Sequence, residues 1–221
     1  MLLTAVVVVG VAVVLVLTLP GLLKGKQADD PPVYVIAIDA GHGGRDPGAT
    51  DGDVYEKDIN LEIANRLTAL VDAEPDLVAN QIRTLDMFIA LPDRITQAQS
   101  AGATIYVTIH VNSYFNSDPD GIETIVDNTR EVDSDNWVLA ELIQDSVVEA
   151  TGARDRGAKA QESYLQRATI PAVSVETGYI TNPTERAKLL DPEYQALLAQ
   201  GIMDGIRQYM TWKYPPPPAE E

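Results

Sequence analysis

The chain has two histidines, and both lie where a predicted strand ends. His42 follows the first β-rich apolar run, His110 closes the third, and Glu176 closes a later one in the same way. In open α/β sheets, sites form outside the carboxyl ends of the strands. We therefore expect these three side chains to meet, although each residue taken alone could simply be hydrogen-bonded at a strand end.

A fourth candidate, Glu56, is singled out by helical phase. Glu56 begins a predicted helix over 56–73 and shares its apolar stripe with Ile59. A carboxylate on an inward face is unfavourable unless a cation pairs with it. The alternative is that Glu56 only caps the first turn. Asp58 and Glu62 point away from the stripe and are expected to be surface or capping residues.

Two imidazoles and one carboxylate form a known ligand set for catalytic zinc. His42, Glu56 and His110 are therefore predicted to hold one zinc ion. Glu176, a carboxylate outside that set, is predicted to be the general base. The glycine-rich turn 41–44 would allow close approach around the metal. The chain has no H-E-x-x-H helix, which excludes a zincin-type peptidase.

The elements that must position these residues alternate along the chain. Apolar β-rich runs predict strands at 33–39, 80–84, 104–110, 121–126 and 172–176. Periodic stripes predict helices at 56–73, 91–101, 135–151 and 192–209, the last with Leu197, Leu198, Ile202 and Ile206 on its inner face. This order predicts a single α/β domain with a largely parallel or mixed central sheet flanked by helices.

The two ends of the chain differ in composition from the middle. Residues 1–23 carry no charged side chain and are long enough to span a bilayer, so they are predicted to be a transmembrane anchor, with a cleaved signal segment as the alternative. Residues 24–32 are expected to be a linker and 213–221 a proline-rich tail, which leaves 33–212 as the catalytic domain. Lys24 and Lys26 follow the apolar run, and the positive-inside rule would place the domain in the cytoplasm.

Composition excludes several classes of function. The formal net charge is −17, which argues against nucleic acid as a partner, because phosphate binding needs Lys and Arg. The chain has no cysteine, which excludes disulfides, a cysteine nucleophile and thiolate metal ligands. We interpret the acidic balance as a solvated surface and infer no substrate from it.

Several motifs in this order resemble one family. The matching segments are Ile38-Asp-Ala-Gly-His-Gly-Gly-Arg-Asp-Pro-Gly48, Tyr55-Glu-Lys-Asp-Ile-Asn-Leu61, Ile109-His-Val-Asn-Ser113, Gly121-Ile-Glu-Thr124, Asp155-Arg-Gly157 and Val175-Glu-Thr-Gly-Tyr-Ile-Thr-Asn-Pro183. Together they make residues 35–209 similar to the N-acetylmuramoyl-L-alanine amidases of the amidase-3 type, which are zinc-dependent cell-wall hydrolases.

The resemblance implies zinc at His42, Glu56 and His110, and Glu176 as the catalytic glutamate. It also implies cleavage of the amide between N-acetylmuramic acid and L-alanine in peptidoglycan. The alternatives are a zinc peptidase acting within the stem peptide and a non-catalytic peptidoglycan-binding module. We expect a monomer at the extracytoplasmic face of the cell envelope, anchored by its N-terminal segment or secreted after cleavage, with an activating partner not identified.

Four further polar residues could belong to the site or to the framework of the fold. Asn112 is predicted either to orient the site beside His110 or to cap a turn. Arg156 is predicted either to meet a substrate carboxylate, which suits a guanidinium, or to form a surface ion pair. Arg83 and Arg94 are predicted to be structural.

Overall fold

The computed structural model describes residues 33–215. The predicted anchor or signal segment at 1–23 and the predicted linker at 24–32 lie outside the described residues, as does 216–221 of the predicted tail. Among the described residues, no helix is both long enough and apolar enough to cross a bilayer.

A six-stranded mixed sheet forms the centre of the domain. Its strands, in chain order, are β1 (Tyr34–Ala40), β4 (Leu77–Gln81), β5 (Ile105–Asn112), β6 (Ile122–Asp127), β7 (Asp155–Gln161) and β8 (Ala172–Tyr179). A separate two-stranded hairpin contains β2 (Thr50–Asp51) and β3 (Val54–Tyr55). The spatial order of the sheet is β4-β1-β5-β8-β6-β7. The first four of these strands are parallel, whereas β6 pairs antiparallel to β8 and parallel to β7.

Helices cover the sheet and bury its apolar side chains. They are α1 (Glu56–Asp72), α2 (Leu91–Ser100), α3 (Asp135–Thr151), α4 (Pro183–Leu189) and α5 (Pro192–Lys213), with a 3-10 turn at Tyr164–Arg167. The larger core joins the sheet to α1, α3 and α5, and a smaller core joins it to α2 and the 3-10 turn. Strand residues alternate between them: Ile36 and Ile38 enter the larger core, and Ala37 enters the smaller one. The prediction of a single α/β domain with a mixed sheet flanked by helices is confirmed.

Two details of the predicted elements are wrong. The second strand is β4 at Leu77–Gln81 rather than 80–84, because its register with β1 pairs Tyr34 with Leu77. Leu197 is 44% exposed rather than on the inner face of α5. It lies one position before the buried stripe of Leu198 and Ile202, and one residue is a rotation of about 100° on a helix.

Two strands also extend further than predicted, which changes the setting of the site. β5 continues past His110 to Asn112, and β8 continues past Glu176 to Tyr179. The pairing of β5 with β8 becomes irregular between His110 and Asn112. His110 and Glu176 therefore lie two and three residues before the carboxyl ends of their strands, rather than at the last strand residue.

Candidate metal centre

His42, Glu56 and His110 lie together, with one ligand atom from each within 4.8 Å of the others. His110 Nδ1 is 2.9 Å from Glu56 Oε1, and His42 Nε2 is 3.3 Å from the same oxygen. The two imidazole rings are edge to face, with their centroids 5.0 Å apart. These two nitrogens and one carboxylate oxygen could hold a metal ion, and the chemistry of the donors fits zinc.

The buried helix position of Glu56 confirms the prediction from helical phase. Glu56 is 3% exposed, whereas Asp58 and Glu62 are exposed. Its Oε1 also accepts hydrogen bonds from the backbone N–H of Val111 at 3.1 Å and from Asn60 Nδ2 at 3.3 Å. These bonds fix the carboxylate at the end of β5, where both imidazoles can reach it.

His42 reaches the site through an unusual backbone conformation. It is the one non-glycine residue with positive φ, 63°, among residues 33–215. That region costs about 1–2 kcal/mol for a residue with a Cβ. Arg94 Nη2 donates to the carbonyl of His42 at 2.6 Å, and Asp46 Oδ2 lies 2.9 Å from His42 Nδ1. The Asp46 contact leaves Nε2 free to face Glu56, as outer carboxylates do for metal-bound histidines.

Arg83 and Arg94 hold the turn from which His42 projects. Both are 1% exposed. Arg83 donates to the carbonyls of Ala40 at 2.8 Å and Gly41 at 3.0 Å, and Arg94 donates to the carbonyl of Ala40 at 2.8 Å. Arg94 also forms a buried ion pair with Asp39 at 2.6 Å. The prediction that both arginines are structural is confirmed, and what they support is the turn that carries His42.

Close approach explains the glycine at position 41. A Cβ at Gly41 would lie 2.2 Å from Cε1 of the His110 ring. We expect Gly41→Ala to displace that ring and lower zinc affinity by about 10–100-fold, the range seen when groups that orient a ligand are lost. Metal titration with a competing chelator would measure it. Gly52→Ala is the control for steric contact, because nothing lies within 4 Å of its added methyl and the change adds only the backbone strain of a φ of +60°. Equal affinities in the two variants would contradict the steric argument.

Glu176 lies beside this group without belonging to it. It is the register partner of His110 on the neighbouring strand, so the two side chains share one face of the sheet. Burial raises the pKa of Glu176 to about 7, an effect that His110 opposes and that Glu56 and Glu123 reinforce. A carboxyl group with a pKa near neutrality can both accept and return a proton at physiological pH.

The histidine pKa values are also shifted in the metal-free chain. Burial lowers the pKa of His42, but the carboxylates of Glu56 and Asp46 outweigh it and raise the pKa to about 9. Burial likewise lowers the pKa of His110, and Glu56 and Glu176 raise it above its ordinary value. Burial raises the pKa of Glu56, yet both histidines hold it below its ordinary value. At pH 7 the centre therefore contains the ionised carboxylate of Glu56 and the protonated imidazole of His42.

Metal binding should consequently release protons. Zinc requires neutral imidazoles, and the raised pKa of His42 keeps it protonated up to about pH 9. We expect at least about one proton, from His42, to be released per zinc ion at pH 7, and zinc affinity to fall as pH is lowered from 9 to 6. Calorimetry in buffers of different ionisation enthalpy would count the protons. Binding at pH 7 with no proton release would contradict this electrostatic description.

Asn112 and Arg156 are not members of the candidate metal group and meet instead at Glu123. Asn112 Nδ2 donates to Glu123 Oε1 at 2.9 Å, and Asn112 Oδ1 accepts from the backbone N–H of Ser113 at 2.9 Å. Arg156 Nε donates to Glu123 Oε2 at 2.8 Å. Sequence reasoning missed Glu123 and Lys159 here. Glu123 could have been found by the argument used for Glu56, because it is the one charged residue in the predicted strand 121–126.

The fold and site together define a class of protein. It is an α/β protein with a His, Glu and His group able to hold a metal at the carboxyl ends of its parallel strands, with a neighbouring carboxylate outside the group. Residues 36–208 match the family model described as N-acetylmuramoyl-L-alanine amidase. The chain belongs to that family.

Individual relatives agree with the family model. The chain is 38% identical over 186 residues to the N-acetylmuramoyl-L-alanine amidase LytC of Bacillus subtilis, covering 83% of this chain and 37% of LytC. It therefore spans little more than a third of that relative's length. A crystal structure of N-acetylmuramoyl-L-alanine amidase from Clostridium difficile 630 has a TM-score of 0.79 and 35% identity, covering 83% of this chain and all of that one.

A further solved structure shows a relative with a partner. The amidase CwlD from Clostridioides difficile, solved in complex with the GerS lipoprotein, is similar to this chain with a TM-score of 0.74 and 27% identity. The similarity covers 81% of this chain and 99% of CwlD in that structure.

Proposed function

We propose that this protein is a zinc-dependent N-acetylmuramoyl-L-alanine amidase. The bond cleaved is the amide between the lactyl group of N-acetylmuramic acid and the L-alanine of the peptidoglycan stem peptide. The observation that carries the proposal is the convergence of His42, Glu56 and His110 within 4.8 Å, with Glu176 adjacent on the next strand. Family membership supports the identity of the bond.

In this mechanism, His42 Nε2, His110 Nδ1 and a Glu56 oxygen would hold the zinc. When bound there, zinc polarises the scissile carbonyl and acidifies water. Asp46 keeps the His42 imidazole in the orientation that presents Nε2. Glu176 accepts the proton of the attacking water and returns it to the leaving nitrogen, so that the C–N bond breaks to a lactyl carboxylate and a free L-alanine amine.

A small cavity beside the imidazoles supports the binding of an organic group at this site. Its volume is about 120 Å³, and its apolar walls include Phe88, Leu91 and Tyr164. An apolar wall next to polar reacting groups is typical of ligand sites, because it excludes water while a few polar groups fix orientation. We infer that part of the muramoyl unit or L-alanine packs here.

The setting of the domain follows from the same proposal. We propose residues 33–212 as the catalytic domain, acting on peptidoglycan at the extracytoplasmic face, with 1–23 as anchor or cleaved signal. Two features lie at the C-terminal boundary of this domain: α5 ends at Lys213, and the Tyr214 ring stacks on the Tyr34 ring with centroids 4.5 Å apart. The complex of CwlD with a lipoprotein supports a role for an accessory protein. Protease accessibility in intact cells would test the location, and protection in the cytoplasm would contradict it.

Digestion of purified cell wall tests the activity directly. The amidase should release new L-alanine amino termini without new glycan reducing ends. New termini within the peptide would instead identify a zinc peptidase. Binding without any new ends, in a protein with full zinc content, would identify a binding module.

A further inference from the structure

A second charged cluster lies on the sheet face that carries Glu176. Glu123 in β6 is the antiparallel register partner of Glu176 in β8, and partners directly opposite each other share a face. Two cations from β7 meet the Glu123 carboxylate. Arg156 Nε is 2.8 Å and Lys159 Nζ is 2.6 Å from Glu123 Oε2.

The cations of this cluster outnumber its carboxylate. Glu123 is ionised, because the two cations outweigh the effect of burial and hold its pKa below the ordinary value. One carboxylate therefore contacts two cations, in a protein whose net charge is −17. Asp120 also acts on Arg156, but its carboxylate is paired with Arg154. The Lys159 side chain is 42% exposed and the Arg156 side chain 25%, against 9% for Glu123. The excess positive charge is on the accessible side.

Both cations keep donors that the described residues do not use. Lys159 has three N–H groups, and within 33–215 the ammonium makes one hydrogen bond, to Glu123. Arg156 uses Nε on Glu123 and Nη1 on the carbonyl of Asp120 at 3.3 Å, with its guanidinium 5.1 Å from the Tyr179 ring centre. The Nη2 group can therefore donate to an anion that arrives from solvent.

We propose that Arg156 and Lys159 form a carboxylate subsite for the stem-peptide residue that follows L-alanine. This inference rests on the proposed amidase function. Glu123 and Asn112 are positioning residues, since Glu123 gathers the cations and Asn112 fixes its other oxygen at 2.9 Å. The ligand is the free carboxylate of an acidic residue, and amidation of that residue would remove the charge that the two cations recognise.

The dimensions agree with this assignment. Neighbouring strands are about 4.8 Å apart, and β6 lies between β8 and β7. Arg156 and Lys159 extend from β7 towards Glu123 in β6, so their charged groups lie roughly one to two strand spacings from Glu176 in β8. An extended peptide advances about 3.3–3.6 Å per residue. A carboxylate on the residue after L-alanine would then lie roughly 5–8 Å from the scissile nitrogen, at the distance of the two cations.

The test compares two wall preparations with the same glycan. The residue after L-alanine bears a free carboxylate in one and a carboxamide in the other. We expect the wild-type protein to show about a 10-fold higher kcat/KM on the free carboxylate, mainly through KM, as one charge-assisted hydrogen bond would give. The readout is the initial rate of release of L-alanine amino termini over a range of wall concentrations.

Single variants separate recognition from structure. Lys159→Gln and Arg156→Gln should each reduce the preference towards unity by raising KM on the free-carboxylate wall. The matched control is Lys188→Gln, which removes an exposed cation of α4 outside this cluster and should keep the wild-type preference. Equal losses on both preparations, with the preference intact, would show a purely structural ion cluster and overturn the subsite.

The outcomes also distinguish this inference from the proposed function. Equal wild-type rates on the two preparations would overturn the subsite and leave the amidase in place. Failure to release L-alanine amino termini from either preparation would overturn the amidase, and the subsite with it.

Discussion

Replacing Glu176 by glutamine is expected to lower kcat by about 10²–10⁴-fold, the contribution of a positioned general base. The substitution keeps the shape of the side chain and removes its ability to accept the water proton. Glu176 lies outside the group of three proposed ligands, so zinc content should remain stoichiometric. The measurement pairs wall-hydrolysis kinetics with metal analysis on the same preparation.

Two results would contradict this role for Glu176. Loss of zinc from Glu176→Gln would make Glu176 a ligand, and near-normal kcat would exclude Glu176 from proton transfer.

The pH profile of kcat/KM adds an independent check. The pKa of Glu176 is raised to about 7 by burial in the metal-free chain, so the carboxylate that acts as base is lost as pH falls through that value. A nearby bound cation would lower that pKa. The acid limb of kcat/KM is therefore expected at or below pH 7 in the wild type.

Removing a proposed zinc ligand is expected to cause the second large effect, a loss of zinc affinity. His110→Ala should weaken zinc binding by more than about 100-fold, since loss of a group that merely orients a ligand already weakens it by about 10–100-fold. Activity should fall with the zinc content. Glu56→Gln should act in the same direction, because its oxygen is approached by both imidazoles. Competition with a chromophoric chelator would measure the affinities.

A control for the ligand variants comes from α1, the helix that carries Glu56. Asp58→Asn removes an exposed carboxylate from the first turn of α1, two residues from Glu56, and should leave zinc affinity unchanged. The folded state of each variant is checked by its thermal unfolding in chelator, where zinc contributes nothing. A folded His110→Ala protein with normal zinc content would refute the proposed ligand set.

Much of the candidate site could be predicted without coordinates, because its residues are marked by patterns within single strands and helices. Strand periodicity placed His42, His110 and Glu176 near carboxyl strand ends, where parallel strands bring such residues together. Helical phase then selected Glu56 over Asp58, and burial of Glu56 agrees. The bond that is cleaved came from resemblance to a family and not from these patterns.

Other parts of the fold left little periodic signal. β7 has the sequence Asp-Arg-Gly-Ala-Lys-Ala-Gln, which lacks the apolar alternation typical of strands. Within residues 33–215 it is an edge strand that pairs with β6 alone, so its side chains need not be apolar. Leu197 shows the converse error, because an apolar residue beside a buried stripe can remain exposed.

By itself, then, the sequence determined the α/β class, the convergence of two histidines with Glu176, and the inward direction of Glu56, because periods of 2 and 3.6 residues are properties of the local chain. Only the tertiary structure decided which polar groups support that centre. Arg94 reaches the turn at His42 from α2, and Lys159 reaches Glu123 from the next strand. Such contacts join segments far apart in the chain, and they depend on sheet order and register, which local patterns do not encode.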